Sequence, residues 1–139
     1  MRDDDTYDEA IPYYEAALRV WSETLSVEEM SRRLGEPTYS HERGDPKTKR
    51  YPDGARRSDS MWSRASGVDE LSRLDEHVEA VLAFLETRRE EVAAIRDACE
   101  MDIFCGVFHN DSINCSFILQ PDLSRRLAEW ALPLNVFCC

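Results

Sequence analysis

The stretch from Leu71 to Phe108, LSRLDEHVEAVLAFLETRREEVAAIRDACEMDIFCGVF, decides the fold because its hydrophobic period changes along it. In the first part, apolar residues recur every three or four positions, which is typical of an amphipathic helix. From Met101 onwards, apolar positions alternate with a second set of residues, which is the period of a strand with two different faces. The stretch therefore predicts a long helix followed by a strand.

The predicted helix begins near Ser72, where Ser72 and Asp75 have the spacing of a helix cap. Its hydrophobic seam is interrupted only by Arg88. The seam consists of Leu71, Leu74, Val78, Val81, Leu85, Val92, Ile95 and Cys99. A coiled coil would use such a seam, but this one is short and contains a charge, so we favour packing against a sheet.

The strand that follows is predicted to form a β-hairpin. Its apolar face would carry Met101, Ile103, Cys105 and Val107, and residues 109–112, HNDS, would form the turn. The returning strand would present Ile113, Cys115, Phe117 and Leu119. A short helix with Pro121 in its first turn and a last strand over residues 132–138 would complete the chain.

The N-terminal half predicts a strand over residues 14–22 and then a short helix. Ser26 and Glu29 form a capping box at the start of that helix, and Gly35 and Pro37 end it. Two short strands are expected near residues 38–42 and 60–64. Because the helices are amphipathic and the strands alternate, we expect an α+β fold. It would be a two-layer sandwich whose largely antiparallel sheet carries the helices on one face.

Charge divides the chain into three regions. The formal net charge is −11, yet residues 43–57 hold six basic residues and two acids. We therefore expect an acidic flexible tail over residues 1–12 and a single α+β domain over 13–139, with residues 43–59 as a mobile basic loop. An acidic body disfavours nucleic acid and anionic membranes as partners, and it favours a protein partner with a basic surface.

The N-terminus lacks the apolar segment of a secretory signal, and no apolar run approaches the ~20 residues that span a bilayer. We therefore expect a cytoplasmic protein. The five cysteines have no regular spacing. Cys105 and Cys115 could face each other across the hairpin, but reduced thiols are the favoured interpretation.

Neither a metal site nor a cofactor is expected, because no cysteine or histidine pair has the spacing of a zinc knuckle and no phosphate loop or dinucleotide fingerprint is present. A Cys105–His109 pair would be about 13 Å apart along one strand, which is too far for proton transfer. The sequence therefore favours a binding protein over an enzyme.

From Tyr14 to the C-terminus, the chain resembles the bacterial domain of unknown function 4279 (DUF4279). The resemblance covers nearly the whole chain and rests on the order and spacing of several motifs. They are SVEEMSRRLGEPT (26–38), RGDP (43–46), MWS (61–63), LDEHVEAVLAFLETRREEVAAI (74–95), MDIFCGVF (101–108) and ILQPDLSRRLAEWALPLNVF (118–137). The chain departs from the family after its last helix, where the family tends to have glycine, and in HNDSINCS (109–116), where the family often shows glycine.

The resemblance implies a small α+β domain with no established catalytic motif, and it marks Gly44, Asp45, Trp62 and His77 as characteristic positions. The first hypothesis is a non-catalytic protein-binding module, such as an inhibitor or immunity protein. The alternative is a small-molecule-binding protein or enzyme with a pocket under the basic 43–62 loop, formed by Arg43, Asp45, Trp62 and His77. Trp62 could also simply anchor the loop to the core, and His77 could bond a nearby loop.

Overall fold

The computed structural model describes residues 12–108 and 117–138 of the chain. The predicted acidic tail lies outside them except for Pro12. The elements are β1 (Tyr13–Ser22), α1 (Val27–Leu34), β2 (Tyr39–His41), β3 (Ser60–Ala65), α2 (Leu74–Thr87), α3 (Arg89–Ile95), a 3₁₀ turn (Arg96–Ala98), β4 (Glu100–Phe108), α4 (Pro121–Trp130) and β5 (Leu134–Cys138). None of the helices in these two ranges is long and apolar enough to cross a bilayer.

The sheet has the strand order β2-β3-β1-β4-β5. β1 lies at its centre and pairs antiparallel with β3 on one side and with β4 on the other. β2 joins β3 antiparallel, whereas β5 joins β4 in parallel. The predicted α+β fold with a largely antiparallel sheet is confirmed.

The core lies between one face of this sheet and the helices. Alternate residues of the central strands point into it, among them Leu18 and Val20 of β1 and Ile103 of β4, all fully buried. The apolar residues of α1, α2, α3 and α4 join the same cluster. The prediction that the helices pack on one face is therefore confirmed, and the long apolar seam serves the sheet rather than a coiled coil.

The structure confirms one of the helix caps predicted from the sequence and contradicts the other. In α1 the capping box is present, since the Glu29 backbone N–H donates to Ser26 Oγ and the Ser26 N–H donates to Glu29 Oε1. The predicted cap at Ser72 is wrong, because α2 begins at Leu74 after Arg73 without a side-chain cap. The prediction of a single long helix is also wrong, because the helical geometry is interrupted between α2 and α3.

The break falls at Arg88, the polar interruption of the predicted seam. Its backbone leaves helical geometry, with φ −126° and ψ 32°. Its side chain reaches the end of α1, where Nε donates to the carbonyl oxygen of Leu34 at 3.3 Å. Carbonyls at a helix C-terminus lack partners within the helix, so this bond satisfies one of them and links two helices.

The predicted hairpin is wrong where the structure describes it. Phe117 and Leu119 lie in no strand, and Ile113 and Cys115 lie outside the described residues. The edge of β4 that a returning strand would use is occupied by β5 over Ile103–Val107. The two strands joined there are more than twenty residues apart, so local periodicity could not reveal the pairing.

Ala131 ends α4 in the left-handed region, with φ 53° and ψ 40°. A side chain at such a position costs about 1 kcal/mol or more, whereas glycine has no Cβ to clash. Glycine would therefore take this position without the strain that alanine bears.

We expect Ala131→Gly to raise the free energy of unfolding by about 0.5 kcal/mol, because the relief of strain exceeds the entropy that glycine adds to the unfolded chain. Urea denaturation followed by circular dichroism measures the change. Ala128→Gly, at an exposed position inside α4, should instead lower stability by about 1 kcal/mol. If both variants lost stability equally, the left-handed cap would be refuted.

Candidate functional site

Trp62 is a core residue in the structure. Its side chain is fully buried, and its indole N–H donates to the carbonyl oxygen of Gly35 at 2.9 Å. Its ring stacks on Phe84 of α2, with ring centroids 6.2 Å apart. The indole thus links β3 to the end of α1 and to α2, which agrees with an anchoring role.

His77 is buried in the first turn of α2 and is 1% exposed. Its Nδ1 lies 2.7 Å from the hydroxyl oxygen of Ser66, directly after β3. Its Nε2 has no hydrogen-bond partner among the described residues. The contact with Ser66 agrees with the alternative in which His77 bonds a nearby loop.

Arg43 and Asp45 lie where the basic loop leaves β2. The Asp45 carboxylate accepts a hydrogen bond from the Glu42 N–H at 2.9 Å, and Gly44 between them takes a φ of +91°, which glycine adopts without strain. The Arg43 guanidinium donates to the backbone oxygen of Glu23. Both residues therefore fix the start of the loop.

The structure does not bring the four predicted residues together. The Arg43 N–H donates to Ser60 Oγ at the start of β3, whereas His77 contacts Ser66 just after its end. Six residues of extended chain separate these two serines, a distance of about 20 Å. Within the described part of the chain, no hydrogen bond, ion pair or ring contact joins any two of the four.

The basic loop folds back on itself. The Gly44 N–H donates to Arg57 O, the Arg57 N–H donates to Asp45 O, and Pro46 and Arg56 form an isolated bridge. The Arg56 and Arg57 guanidiniums donate to loop carbonyl oxygens. Among the described residues, no lysine or arginine of this loop forms an ion pair with a carboxylate.

The second face of the sheet, opposite the helices, carries a group of aromatic residues that we call the aromatic face. Phe104 stacks with Phe137 at a centroid distance of 6.5 Å, and Tyr13 stacks with Phe108 at 4.8 Å. Phe137 is 53% exposed. The aromatic face comprises Tyr13, Trp21, Tyr39, Phe104, Phe108 and Phe137.

An ion pair lies at the centre of the aromatic face. Arg19 of β1 binds both carboxylate oxygens of Asp102 on β4, at 2.9 and 2.6 Å. The guanidinium carbon also lies 4.8 Å from the ring centroid of Trp21 and 4.5 Å from that of Phe104. The bidentate bonds and the two rings together hold the Arg19 guanidinium at the centre of the aromatic face.

Next to Trp21, at one end of the sheet, four acidic residues are among those that line an open cleft of about 430 Å³. We call it the acidic cleft, and its carboxylates belong to Glu23, Asp59, Asp97 and Glu100. No lysine or arginine lines it. Asp59 contacts His41 at 3.5 Å, and none of the other three forms an ion pair with a described residue.

The acidic cleft is suited to a positively charged group. Four carboxylates in one concavity produce a negative potential, and the low-dielectric walls of a cleft concentrate it. Trp21 adds an aromatic surface at the edge, where a cation or an aliphatic stem can pack. Among the described residues no set of three or more histidine, cysteine or acidic side chains has the geometry of a metal site.

The sequence contains one signal for the aromatic face. In β1 and β4 the residues that alternate with the apolar set include Trp21, Phe104 and Phe108, which are large aromatic residues rather than ordinary polar ones. They give this second face an aromatic character that polar alternation would not produce. The acidic cleft had no such signal, because its four acidic residues come from three separate segments of the chain.

Cys105 lies on the helix-facing side of the sheet and, unlike the aromatic face and the acidic cleft, has no access to solvent. It is fully buried, and burial raises the pKa of its thiol to about 12, with a smaller contribution from the Asp102 charge. Since only the thiolate is nucleophilic, Cys105 is chemically inert in the folded protein.

We therefore expect iodoacetamide at mildly alkaline pH to alkylate the exposed Cys138 and to leave Cys105 unmodified. Peptide mass spectrometry after a timed reaction measures both sites, and the denatured protein is the control in which both react. Alkylation of Cys105 at a rate similar to that of Cys138 in the folded protein would contradict its buried position.

The family model of a domain of unknown function, DUF4279, matches residues 12–137. The chain belongs to the DUF4279 family. The match begins just before β1 and ends within β5, so the DUF4279 domain includes every element of the sheet and all the helices described above. No curated protein and no solved structure gives a significant match.

Proposed function

We propose that this DUF4279 domain is a protein-binding module whose acidic cleft receives an arginine or lysine side chain of a basic partner. The observation that carries the proposal is the group of four acidic residues in the acidic cleft, which no lysine or arginine lines. The Arg43 guanidinium reaches only the backbone oxygen of Glu23 and forms no ion pair with a described carboxylate. Negative charge concentrated in a concavity attracts a positively charged partner and increases its association rate.

The aromatic face supports the same proposal. Aromatic residues are enriched at the centres of protein interfaces, and exposed apolar patches on soluble proteins mark interaction sites. Trp21 belongs both to this face and to the wall of the acidic cleft. A partner could therefore place a cationic side chain in the cleft and apolar residues on the adjoining rings, which gives both charge complementarity and buried area.

The proposal extends to the kind of module and its compartment. An inhibitor or immunity protein that covers a basic surface of its target is the form we favour, because the acidic cleft recognises charge and needs no chemistry of its own. The free thiols of Cys99, Cys105 and Cys138 are consistent with a reducing compartment, and we place the protein in the cytoplasm.

The alternative, a small-molecule site or an active site beneath the basic 43–62 loop, has less support. Trp62 and His77 are in the core, and the cleft of about 240 Å³ beside Arg43 is lined by neither of them. A site in this region would have to use Arg43 without the other predicted residues.

The proposal is tested by titrating the ¹⁵N-labelled protein with a short amidated peptide that contains two arginines. We expect saturable shifts of the Trp21 indole N–H and of the backbone amides of Glu23 and residues 97–100, and no comparable shifts in α1 or α4. Shifts spread evenly over the acidic surface would show non-specific attraction and refute the assignment to the acidic cleft. A peptide with lysines in place of the arginines shows whether the planar guanidinium matters.

A further inference from the structure

The basic loop has a backbone hydrogen-bonding pattern of its own. Two consecutive turns shape its tip, since the Tyr51 N–H donates to Thr48 O at 3.3 Å and the Gly54 N–H donates to Tyr51 O at 2.9 Å. Below the tip, the Lys47 N–H donates to Ala55 O at 2.9 Å across the two arms of the loop. A partner that binds the loop would therefore lose less conformational entropy than one that orders an unstructured segment.

The tip of the basic loop exposes an aromatic ring beside a cation. Tyr51 is 58% exposed, and the Arg50 guanidinium carbon lies 5.5 Å from its ring centroid. Lys47 and Lys49 are exposed on the same stretch of chain. Tyrosine and arginine are both enriched in protein interfaces, and they often dominate the binding energy there. The tip therefore has the composition of a protein-binding surface.

The acidic cleft lies at the same end of the sheet as this loop. Asp59 of the cleft directly precedes β3, where the loop ends, and Glu23 directly follows β1, which pairs with β3 at that end. The Arg43 guanidinium at the start of the loop donates to the backbone oxygen of Glu23. The basic loop and the acidic cleft are therefore neighbouring surfaces of one molecule.

The two surfaces have equal and opposite formal charge. Residues 43–57 hold six basic residues and two acids, a net +4, and the four acidic residues of the cleft contribute −4. No lysine or arginine lines the cleft, so among the described residues the loop does not fill the cleft of its own chain. A second copy of the chain offers both complementary surfaces at once, and a two-fold axis makes the same contact twice.

The net charge of each copy opposes such an association over long distances. Each chain carries −11, so two chains repel one another as they approach. At physiological ionic strength, charges more than about 8 Å apart are largely screened. A cation inside the cleft is closer than that to the carboxylates, so its attraction is screened less than the overall repulsion. The local contact therefore outweighs the net charge at this ionic strength.

We propose that the chain forms a two-fold symmetric dimer in which the basic loop of each copy enters the acidic cleft of the other. We assign Arg50 as the cation that meets the carboxylates and Tyr51 as the ring that packs near Trp21. The dimer rests on the proposed function, because both use the acidic cleft as the receiver of a cationic side chain. The loop then competes with a basic partner for the cleft, so dimerisation lowers the apparent affinity for that partner.

Sedimentation velocity at several protein concentrations and near-physiological salt tests the dimer. We expect a concentration-dependent dimer of the unaltered protein. K49E/R50E in the loop and D97K/E100K in the cleft should each raise the dimer dissociation constant at least about tenfold, because like charges then face one another. An equimolar mixture of the two variants should restore the dimer, because opposite charges face one another again at both contacts. A structural defect in either variant would not be repaired by mixing.

The matched control is R64E/R89E, which reverses two exposed arginines outside the loop. It has the same net charge as K49E/R50E, and we expect it to dimerise as the unaltered protein does. Three results would each overturn the dimer: a monomeric unaltered protein at every concentration, equal loss of the dimer in K49E/R50E and in the control, or no restoration in the mixture.

The peptide with two arginines separates this proposal from the proposed function. In K49E/R50E the cleft is free of the loop, so the peptide should bind this variant several-fold more tightly than it binds R64E/R89E. Equal affinities for the two variants would contradict occupation of the cleft by the loop and leave the proposed function standing. Absence of peptide binding to K49E/R50E would contradict the proposed function itself.

Discussion

Replacing Trp62 by alanine is expected to lower the free energy of unfolding by about 4 kcal/mol. The side chain is fully buried between β3, α1 and α2, so its removal leaves a cavity that the surrounding helices cannot fill without moving. The change also removes the donor to Gly35 O, which leaves a carbonyl at the end of α1 without that bond. Because small domains are stable by only about 5–15 kcal/mol, this is a large fraction of the total.

Urea denaturation followed by far-ultraviolet circular dichroism measures the Trp62 effect, since this signal does not depend on the indole that is removed. Trp62→Phe keeps an aromatic ring but not the N–H donor, so we expect a smaller loss of about 1–2 kcal/mol. Trp21→Ala, on the aromatic face, is the control and should cost about 1 kcal/mol. A loss below that of Trp21→Ala would show that Trp62 is not a core residue.

The second large effect is expected on binding. Glu100→Lys places a positive charge in the acidic cleft, at a position exposed at the start of β4. It removes one attractive contact and adds a repulsive one, so the affinity for a two-arginine peptide should fall on the order of 10- to 100-fold. Isothermal titration calorimetry at low salt measures the change.

The control for this change is Glu90→Lys in α3, where the carboxylate is exposed and forms no ion pair with a described residue. It alters the net charge by the same amount as Glu100→Lys, so a general effect of charge would weaken both variants equally. Equal affinities for the two variants would contradict a specific role for the acidic cleft. The stability of both variants should be unchanged within about 0.5 kcal/mol, because both positions are on the surface.

The parts of the fold that local chemistry determines could be predicted from the sequence. The capping box at Ser26 and Glu29, the glycine that ends α1, and the proline in the first turn of α4 all act within a few residues. The alternation in β1 and β4 identified their buried faces, because that period depends only on the strand itself. These signals were sufficient for the fold class.

The parts that depend on distant residues could not be predicted. Arg88 breaks the long helix and bonds Leu34, which is more than fifty residues away. The partner of β4 on its outer edge is β5, so the nearest downstream segment was the wrong candidate. The family resemblance marked Trp62 and His77 as characteristic positions, and the structure shows both in the core, where packing alone can require a given residue.

The candidate site was missed for the same reason. Glu23 follows β1 and Asp59 precedes β3, whereas Asp97 and Glu100 lie in and just after the turn before β4. Only the folded sheet brings these four residues together. The sequence predicted a site at the basic loop because the basic residues of that loop are close together in sequence. The four acidic residues of the acidic cleft are neighbours only in the folded protein.

Affinity capture from a lysate of the organism that encodes the chain, quantified by mass spectrometry, tests whether the acidic cleft binds a basic protein. Three baits of the full chain are compared at low salt: the unaltered protein, the cleft variant E23Q/D59N/D97N/E100Q, and the variant E36Q/D53N/E70Q/E90Q, which has the same net charge as the cleft variant. We expect a basic protein to be retained stoichiometrically by the unaltered protein and by the second variant and to be lost from the cleft variant. Retention of the same protein by the cleft variant, or no stoichiometric protein on the unaltered bait, would contradict it.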